Sequence, residues 1–227
     1  MEEFLPLLHQ NELLSVLPEE VLRTQVLPHA TLREAARGQY LIAPQQQVDH
    51  FSVILHGKVQ LQHLFADGSY DLFGVLGPAR TLGADLLCTR TRLAPYCASA
   101  AAPTALLRFP AALILEPGLL AEEHRLQVLS RLLQMISNEN LKREYRLAIL
   151  SRRGLRDRIL AYLTMQAAKR GTPTFTIPFS REELASFLCV NRSALSHELS
   201  LMEQEGLIRF RKNVFTLLDV PNEMHPL

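Results

Sequence analysis

A run of thirty-five residues without glycine or proline, Leu119 to Arg153, divides this chain. Pro117-Gly118 precedes it and Gly154 follows it. Within it Leu126, Leu129, Leu133, Ile136, Asn140, Arg143, Leu147 and Leu150 recur at alternating steps of three and four, the a/d seam of a coiled coil. One helix cannot bury such a stripe by itself. Packing on its own domain is one resolution and pairing with a second copy is the other. Asn140 in line with the seam favours pairing, because a polar residue there costs stability yet fixes register and a two-stranded state. Leu126, Leu129, Leu133, Ile136 and Asn140 are therefore the expected dimer seam.

Upstream the texture differs. Two short helical stretches are expected at Glu2–Leu14 and Pro18–Leu27. From Thr31 to Phe109 short apolar runs are broken by turn signals near Gly38, His56-Gly57-Lys58, Ala66-Asp67-Gly68, Gly77-Pro78, Ala94-Pro95 and Ala102-Pro103, which reads as antiparallel strands in a sandwich or barrel. Phe51–Leu55 is the strongest strand. Val59–Leu64 is expected to pair with it through a tight Gly57-Lys58 turn, and the next hairpin to turn at Asp67-Gly68.

Downstream, Leu155 to Lys169 is an amphipathic helix closed by Gly171 and Pro173. Thr174–Ile177 is a short strand. Ser180-Arg-Glu-Glu183 is a capping box opening one helix, and Asn191 caps a second that runs to about Gln204, ended by Gly206. Two strands, Leu207–Phe210 and Val214–Leu218, surround the turn Arg211-Lys212-Asn213. Two helices three residues apart form a helix-turn-helix layout, whose second helix enters the major groove by its N-terminal residues. Those positions hold Arg192, Ser193, Ser196 and His197, all able to hydrogen-bond. Arg can pair bidentately with guanine, whereas Ser and His are less selective readers. A structural helical hairpin would show the same pattern, but the trailing hairpin with a basic tip at Arg211 and Lys212 is the companion a phosphate-contacting wing would provide. Ser180 and Arg181, at the start of the first helix, complete the expected DNA-contacting set. Charge points the same way: residues 1–150 carry 13 basic and 15 acidic side chains, the remainder 11 and 8.

Ser180 to Ser200, followed by Met202-Glu-Gln-Glu-Gly-Leu-Ile-Arg-Phe210, resembles the Crp/Fnr family of bacterial transcription regulators. The resemblance covers nearly the whole chain, with most of its specificity in that stretch. It implies an α+β chain: an N-terminal antiparallel, jelly-roll-like β-roll sensor over 1–116, a dimerisation helix over 117–150 and a winged helix-turn-helix over 151–227. It further implies a homodimer on a double-stranded DNA inverted repeat, an effector in the β-roll that repositions the reading helices, and contact with RNA polymerase. Arg192 fits the family pattern. Ser193 stands where cyclic-AMP-responsive members commonly have Glu, and His197 where Arg is common, so the familiar operator does not carry over. Cys189 occupies a turn position where the family often has Gly.

In nucleotide-binding members a cassette of Gly-Glu-Leu and, about ten residues on, Arg-Ser holds ribose and cyclic phosphate. Here Gly83 is kept, Ala84 aligns with the Glu, and Ala94-Pro95 with the Arg-Ser pair. A buried phosphate without its cation is costly, so the resemblance argues against cyclic AMP unless Arg90 or Arg92 takes over. The expected effector pocket, Gly83, Ala84, Asp85 and Tyr96, suits a largely apolar small molecule. No cysteine precedes Cys88, which argues against the iron–sulfur branch. Isolated His50, His56 and His63 give little support to haem, and Cys88 and Cys97 read as packed thiols rather than a redox pair. No catalytic or metal-binding motif is present in the sequence. An acidic start, three scattered cysteines and the lack of a long apolar run suggest a soluble cytoplasmic protein. The sequence leaves two rival functions open: a ligand-binding module acting through a protein partner, and a DNA-binding regulator needing no ligand.

Overall fold

A computed structural model describes residues 1–65 and 67–218. It falls into two compact units, Met1–Asn138 and Glu139–Leu227, each with its own apolar core.

The first unit begins with helix α1 (Leu5–Gln10) and helix α2 (Glu19–Val21), the latter continuing through a π turn over Leu22–Val26 and a 3-10 turn over Leu27–His29. The first helix stops four residues short of the expected Leu14. The reason is Asn11, which is fully buried. Its Oδ1 accepts from the backbone N–H groups of Leu13 and Leu14, and its Nδ2 donates to Ala79 O and Thr81 Oγ1. An Asn side chain that satisfies local backbone donors competes with the helix ladder.

Strands β1 (Thr31–Ala35), β2 (Tyr40–Ile42), β3 (His50–His56), β4 (Val59–Leu64), β5 (Tyr70–Leu76) and β6 (Thr81–Leu82) come next. Helix α3 (Ala84–Leu87), strands β7 (Cys97–Ala100) and β8 (Thr104–Pro110) and helix α4 (Ala112–Leu115) complete the roll. All pairings are antiparallel, in two four-stranded sheets of order β1-β8-β3-β6 and β2-β7-β4-β5. The expected pairing of Phe51–Leu55 with Val59–Leu64 is therefore wrong: β3 pairs with β6 and β8, and β4 with β5 and β7. His56-Gly57-Lys58 carries the chain from one sheet to the other. Gly57 sits at φ +91°, and a Cβ there would stand 2.6 Å from Pro103 O and closer still to Thr104 Oγ1. Only glycine lets the backbone pass so near. The β4–β5 hairpin forms as expected, with Leu64 opposite Tyr70; of its turn, Ala66 lies outside the described residues.

Helix α5 (Glu122–Leu150) takes up the glycine-free run. The second unit continues with helix α6 (Leu155–Arg170), strand β9 (Thr174–Thr176), helix α7 (Arg181–Phe187), helix α8 (Arg192–Gln204) and strands β10 (Ile208–Arg211) and β11 (Val214–Leu217). Gly171, at φ +65°, ends α6 as anticipated. The three strands form one antiparallel sheet of order β10-β11-β9. Leu163, Leu195, Leu199, Met202, Ile208 and Phe215 are all inaccessible to solvent in the core beneath it.

One charged cluster is built into the roll. His50 is buried, and its Nδ1 lies 2.7 Å from Asp49 Oδ1 and 2.8 Å from Arg108 Nη2. Arg108 can only donate and the Asp49 carboxylate can only accept, so the two compete for this nitrogen: the Arg108 bond needs Nδ1 unprotonated and the Asp49 bond needs it protonated. Burial pushes the imidazole below its ordinary value and the Arg108 and Arg33 charges add to this, while Asp49 opposes. A histidine depressed in the folded state contributes stability that is present above about pH 6.5. That stability is lost as pH falls through the lower folded value. Thermal melting at pH 7 and pH 5 should show the roll melting lower at pH 5, and His50→Gln should flatten that difference. An unchanged slope in the variant would remove His50 from the acid response.

Candidate functional site

The two helices of the second unit are set by their caps. Ser180 Oγ accepts from Glu183 N at 3.2 Å and Glu183 Oε2 accepts from Ser180 N at 2.7 Å, completing the capping box of α7. These bonds hold the Glu183 carboxyl below its usual range. Between the helices Cys189 is left-handed, φ +56°, with its N–H donating to Ser186 O and the next, Val190 N–H, to Ala185 O. A β-carbon in this conformation costs strain that glycine would not. Asn191 then caps α8, its Oδ1 accepting from Ala194 N at 2.7 Å and from the Ser193 hydroxyl at 2.8 Å.

Leu184, Leu188, Leu195, Leu199 and Met202 are buried, which fixes the rotation of α8. Arg192, Ser193, Ser196 and His197 all stand on its exposed side. Arg156, on α6, donates through Nε to Glu198 at 2.7 Å and through both terminal nitrogens to Glu205 at 2.6 and 2.9 Å. The two carboxylates push its guanidinium pKa up. This clamp on α8 escaped the sequence analysis because its members are more than forty residues apart and follow no period.

At the wing, Arg211 and Lys212 are exposed at the tip, and Lys212 is left-handed, φ +55°. Arg181 is not on the outer face with the α8 row. It is half-buried, with Nη2 donating to Lys212 O at 3.2 Å and its guanidinium 5.0 Å from the Phe210 ring centre.

In the first unit Gly83 is left-handed, φ +83°, and opens α3. Its Cα side is filled by Ile42, Val48 and His50 O, each within 3.5 Å of where a Cβ would stand. Ala84 is a core residue, and Ala94 is buried with its N–H donating to Gln46 O. Asp85 and Tyr96 come together, the phenol donating to the carboxylate at 3.4 Å. Phe73 meets the Tyr96 ring edge-on at 5.5 Å, and His63 stacks on Phe73 at 4.4 Å. Phe73 and this use of His63 leave little trace in the sequence beyond their place on adjacent strands of one hairpin.

Of the other candidate sensors, His50 is engaged as described and His56 is exposed. Burial pushes the Cys88 and Cys97 thiols up, and Asp85 adds to this at Cys88, so neither is primed as a thiolate. Among the described residues no group of three or more His, Cys, Asp or Glu is placed to hold a metal ion. Among them, too, no helix is long and apolar enough to cross a membrane.

The seam residues on α5 divide. Val128 and Leu132, off the seam, are buried in the first unit's core, and Leu129 and Ile136 pack half-buried against it. Leu126, Leu133 and Asn140 are exposed.

Residues 32–116 match the cyclic nucleotide-binding domain family and residues 157–222 the Crp-like helix-turn-helix domain family. The nitrogen fixation regulation protein FixK of Bradyrhizobium diazoefficiens is 24% identical over 187 residues, which cover 80% of this chain and 76% of that protein. The fold is similar to that of CprK complexed with OCPA (TM-score 0.57, 19% identity, 87% of this chain and 89% of that one). It is also similar to that of DNR from Pseudomonas aeruginosa (TM-score 0.50, 20% identity, 94% and 93%). With a nucleotide-binding-type roll followed by a capped, winged helix-turn-helix, the chain belongs to the Crp/Fnr family of DNA-binding transcription regulators and is not an enzyme.

Proposed function

We propose that the protein acts as a homodimer on an inverted repeat, under the control of an effector other than cyclic AMP. The observation that carries the dimer is on α5. Leu126, Leu133 and Leu147, at whole heptad intervals on one helix, are 54%, 66% and 64% exposed. Fully burying a leucine is worth about 1.5–3 kcal/mol, and a second copy of the same helix offers the matching surface, with Asn140 in the same line to set register.

On DNA, Arg192 reads guanine O6 and N7, with Ser193, Ser196 and His197 beside it. Arg211, Lys212 and the Ser180 end of α7 contact phosphate. The exposed row on α8 supports this, as does a wing with a basic tip. The family resemblance supports contact of the bound dimer with RNA polymerase. In the roll, the supporting feature is what fills the cassette: Ala84 and Ala94 are packed into the core and supply neither a ribose acceptor nor a phosphate cation. Asp85, Tyr96, Phe73 and His63 instead suit a small, largely apolar or aromatic molecule anchored by a few polar groups. Such an effector acts by binding the DNA-competent arrangement more tightly than the alternative.

Three measurements test this reading. Arg192→Ala should weaken operator binding by about 1–3 kcal/mol and relax preference at one base of each half-site, whereas Lys212→Ala should weaken all sequences alike and lower the salt slope by about one. An unchanged preferred site in Arg192→Ala would mean that α8 is not the reader. Leu133→Asp should shift sedimentation toward monomer and abolish binding to the full repeat; a monomer that held the repeat at wild-type strength would refute the coupling. Calorimetric titration with millimolar cyclic AMP or cyclic GMP should give no saturable heat. Micromolar binding of either would assign the phosphate to Arg90 or Arg92 and overturn the effector reading.

A further inference from the structure

The side chain of Arg181 is sandwiched between the start of α7 and the wing. Its guanidinium carbon lies 5.0 Å from the centre of the Phe210 ring and 5.6 Å from that of Phe215, and these two rings stack on each other at 5.7 Å. Its Nη2 donates to the backbone carbonyl of Lys212 at 3.2 Å. Lys212 is the left-handed residue at the wing tip. The base of the wing has other supports: β11 pairs with β9, Ile177 N–H donates to Asn213 O at 2.9 Å, and Asn213 Nδ2 donates to Ile177 O at 3.2 Å. Beside the tip, by contrast, is an open hollow of about 500 Å³ bordered by Phe179, Ser180, Arg181, Glu183, Lys212 and Asn213. The side-chain bond to the tip across that opening comes from Arg181.

We propose that Arg181 is a positioning residue: it clamps the wing tip to the first helix, and so sets where Lys212 and Arg211 meet the phosphate backbone, without itself contacting DNA. The planar fork suits this task. One edge donates to the Lys212 carbonyl while the face lies on the aromatic pair, a combination that an ammonium cannot reproduce. Burial and the neighbouring Arg192 charge both act against the guanidinium, so its place inside the fold is held by the rings and the carbonyl rather than by a carboxylate. A non-glycine residue in the left-handed region persists when its surroundings over-determine it, and the Arg181 bond is one such constraint on Lys212.

The inference rests on the wing as a phosphate-contacting element, and the test separates the two. In the full-length protein, Arg181→Ala should lower operator affinity roughly fivefold and reduce the salt slope by about one, matching Lys212→Ala. In a Lys212→Ala background the same change should add less than about twofold, because the contact it positions is already gone. Arg181→Lys keeps the charge and loses the fork, and should behave like Arg181→Ala. Limited trypsin digestion without DNA gives an independent readout: cutting after Arg211 and Lys212 should quicken several-fold in both variants while their melting temperatures stay close to wild type. Full rescue by lysine, or a loss that stays additive with Lys212→Ala, would make Arg181 a direct phosphate contact and overturn the clamp. An unchanged cutting rate would overturn it as well. If Lys212→Ala leaves affinity untouched while Arg181→Ala still opens the tip to trypsin, the clamp stands and the wing reading falls.

Discussion

Helix α5 carries more apolar surface than its own unit covers, and the remaining surface sets the terms for the rest of the molecule. Val128 and Leu132 bind one side of it into the roll's core, leaving Leu126, Leu133 and Leu147 in water. The chain's own core therefore resolves the heptad pattern on one line of the helix, and the proposed pairing with a second copy would resolve the other. A helix anchored this way cannot rotate to hide the exposed line without pulling Val128 and Leu132 into solvent. The association with a second copy proposed above would satisfy both demands.

The exposed face of α8 depends on a different set of interactions. Neither α7 nor α8 is long enough to persist by propensity alone; their starts are pinned by Ser180 with Glu183 and by Asn191, and their inner faces by buried leucines. The caps decide where each helix begins, and the core decides which side of α8 looks outward. Arg156, gripping Glu198 and Glu205, adds a polar tie between α6 and α8. Such a network holds direction more than it adds stability, since the groups involved remain partly in water. Under the proposed function α8 needs its direction held in this way, because base recognition depends on hydrogen-bond geometry.

The roll keeps the backbone of its helix opening while apolar side chains fill the space around it. Gly83 keeps the left-handed opening of α3, with the roll's own side chains closing in around it. Ala84 and Ala94 then extend the core into positions that, by the family resemblance, would otherwise face a nucleotide. The polar groups that remain together are Asp85 and Tyr96, bordered by Phe73 and His63. This is the constellation on which the proposal of an effector other than a cyclic nucleotide rests.

Features governed by local interactions could be read from the sequence: the capping box at Ser180, the Asn191 cap, the glycine that ends α6, the Asp67-Gly68 hairpin and the uninterrupted helix of α5. Each depends on backbone groups within a few residues, so the residues themselves carry the information. The sequence likewise determined the polar row on α8, since helical spacing alone separates Arg192, Ser193, Ser196 and His197 from the leucines between them. What required the tertiary structure was every decision made at long range. Nothing near Gly57 announces that β3 and β4 belong to different sheets, because the atoms that demand glycine there come from Pro103 and Thr104. Asn11 ends a helix through local bonds to Leu13 and Leu14, but its side chain is held in the core for that task by Ala79 and Thr81, nearly seventy positions away. In the sequence Arg181 is one more basic residue at a helix start; its two phenylalanines and the Lys212 carbonyl come within reach only through the pairing of β10, β11 and β9. Local sequence sets helix starts and turns because those bonds close over short loops; sheet partners, and the side chains that cross between elements, are chosen by the burial of the whole core.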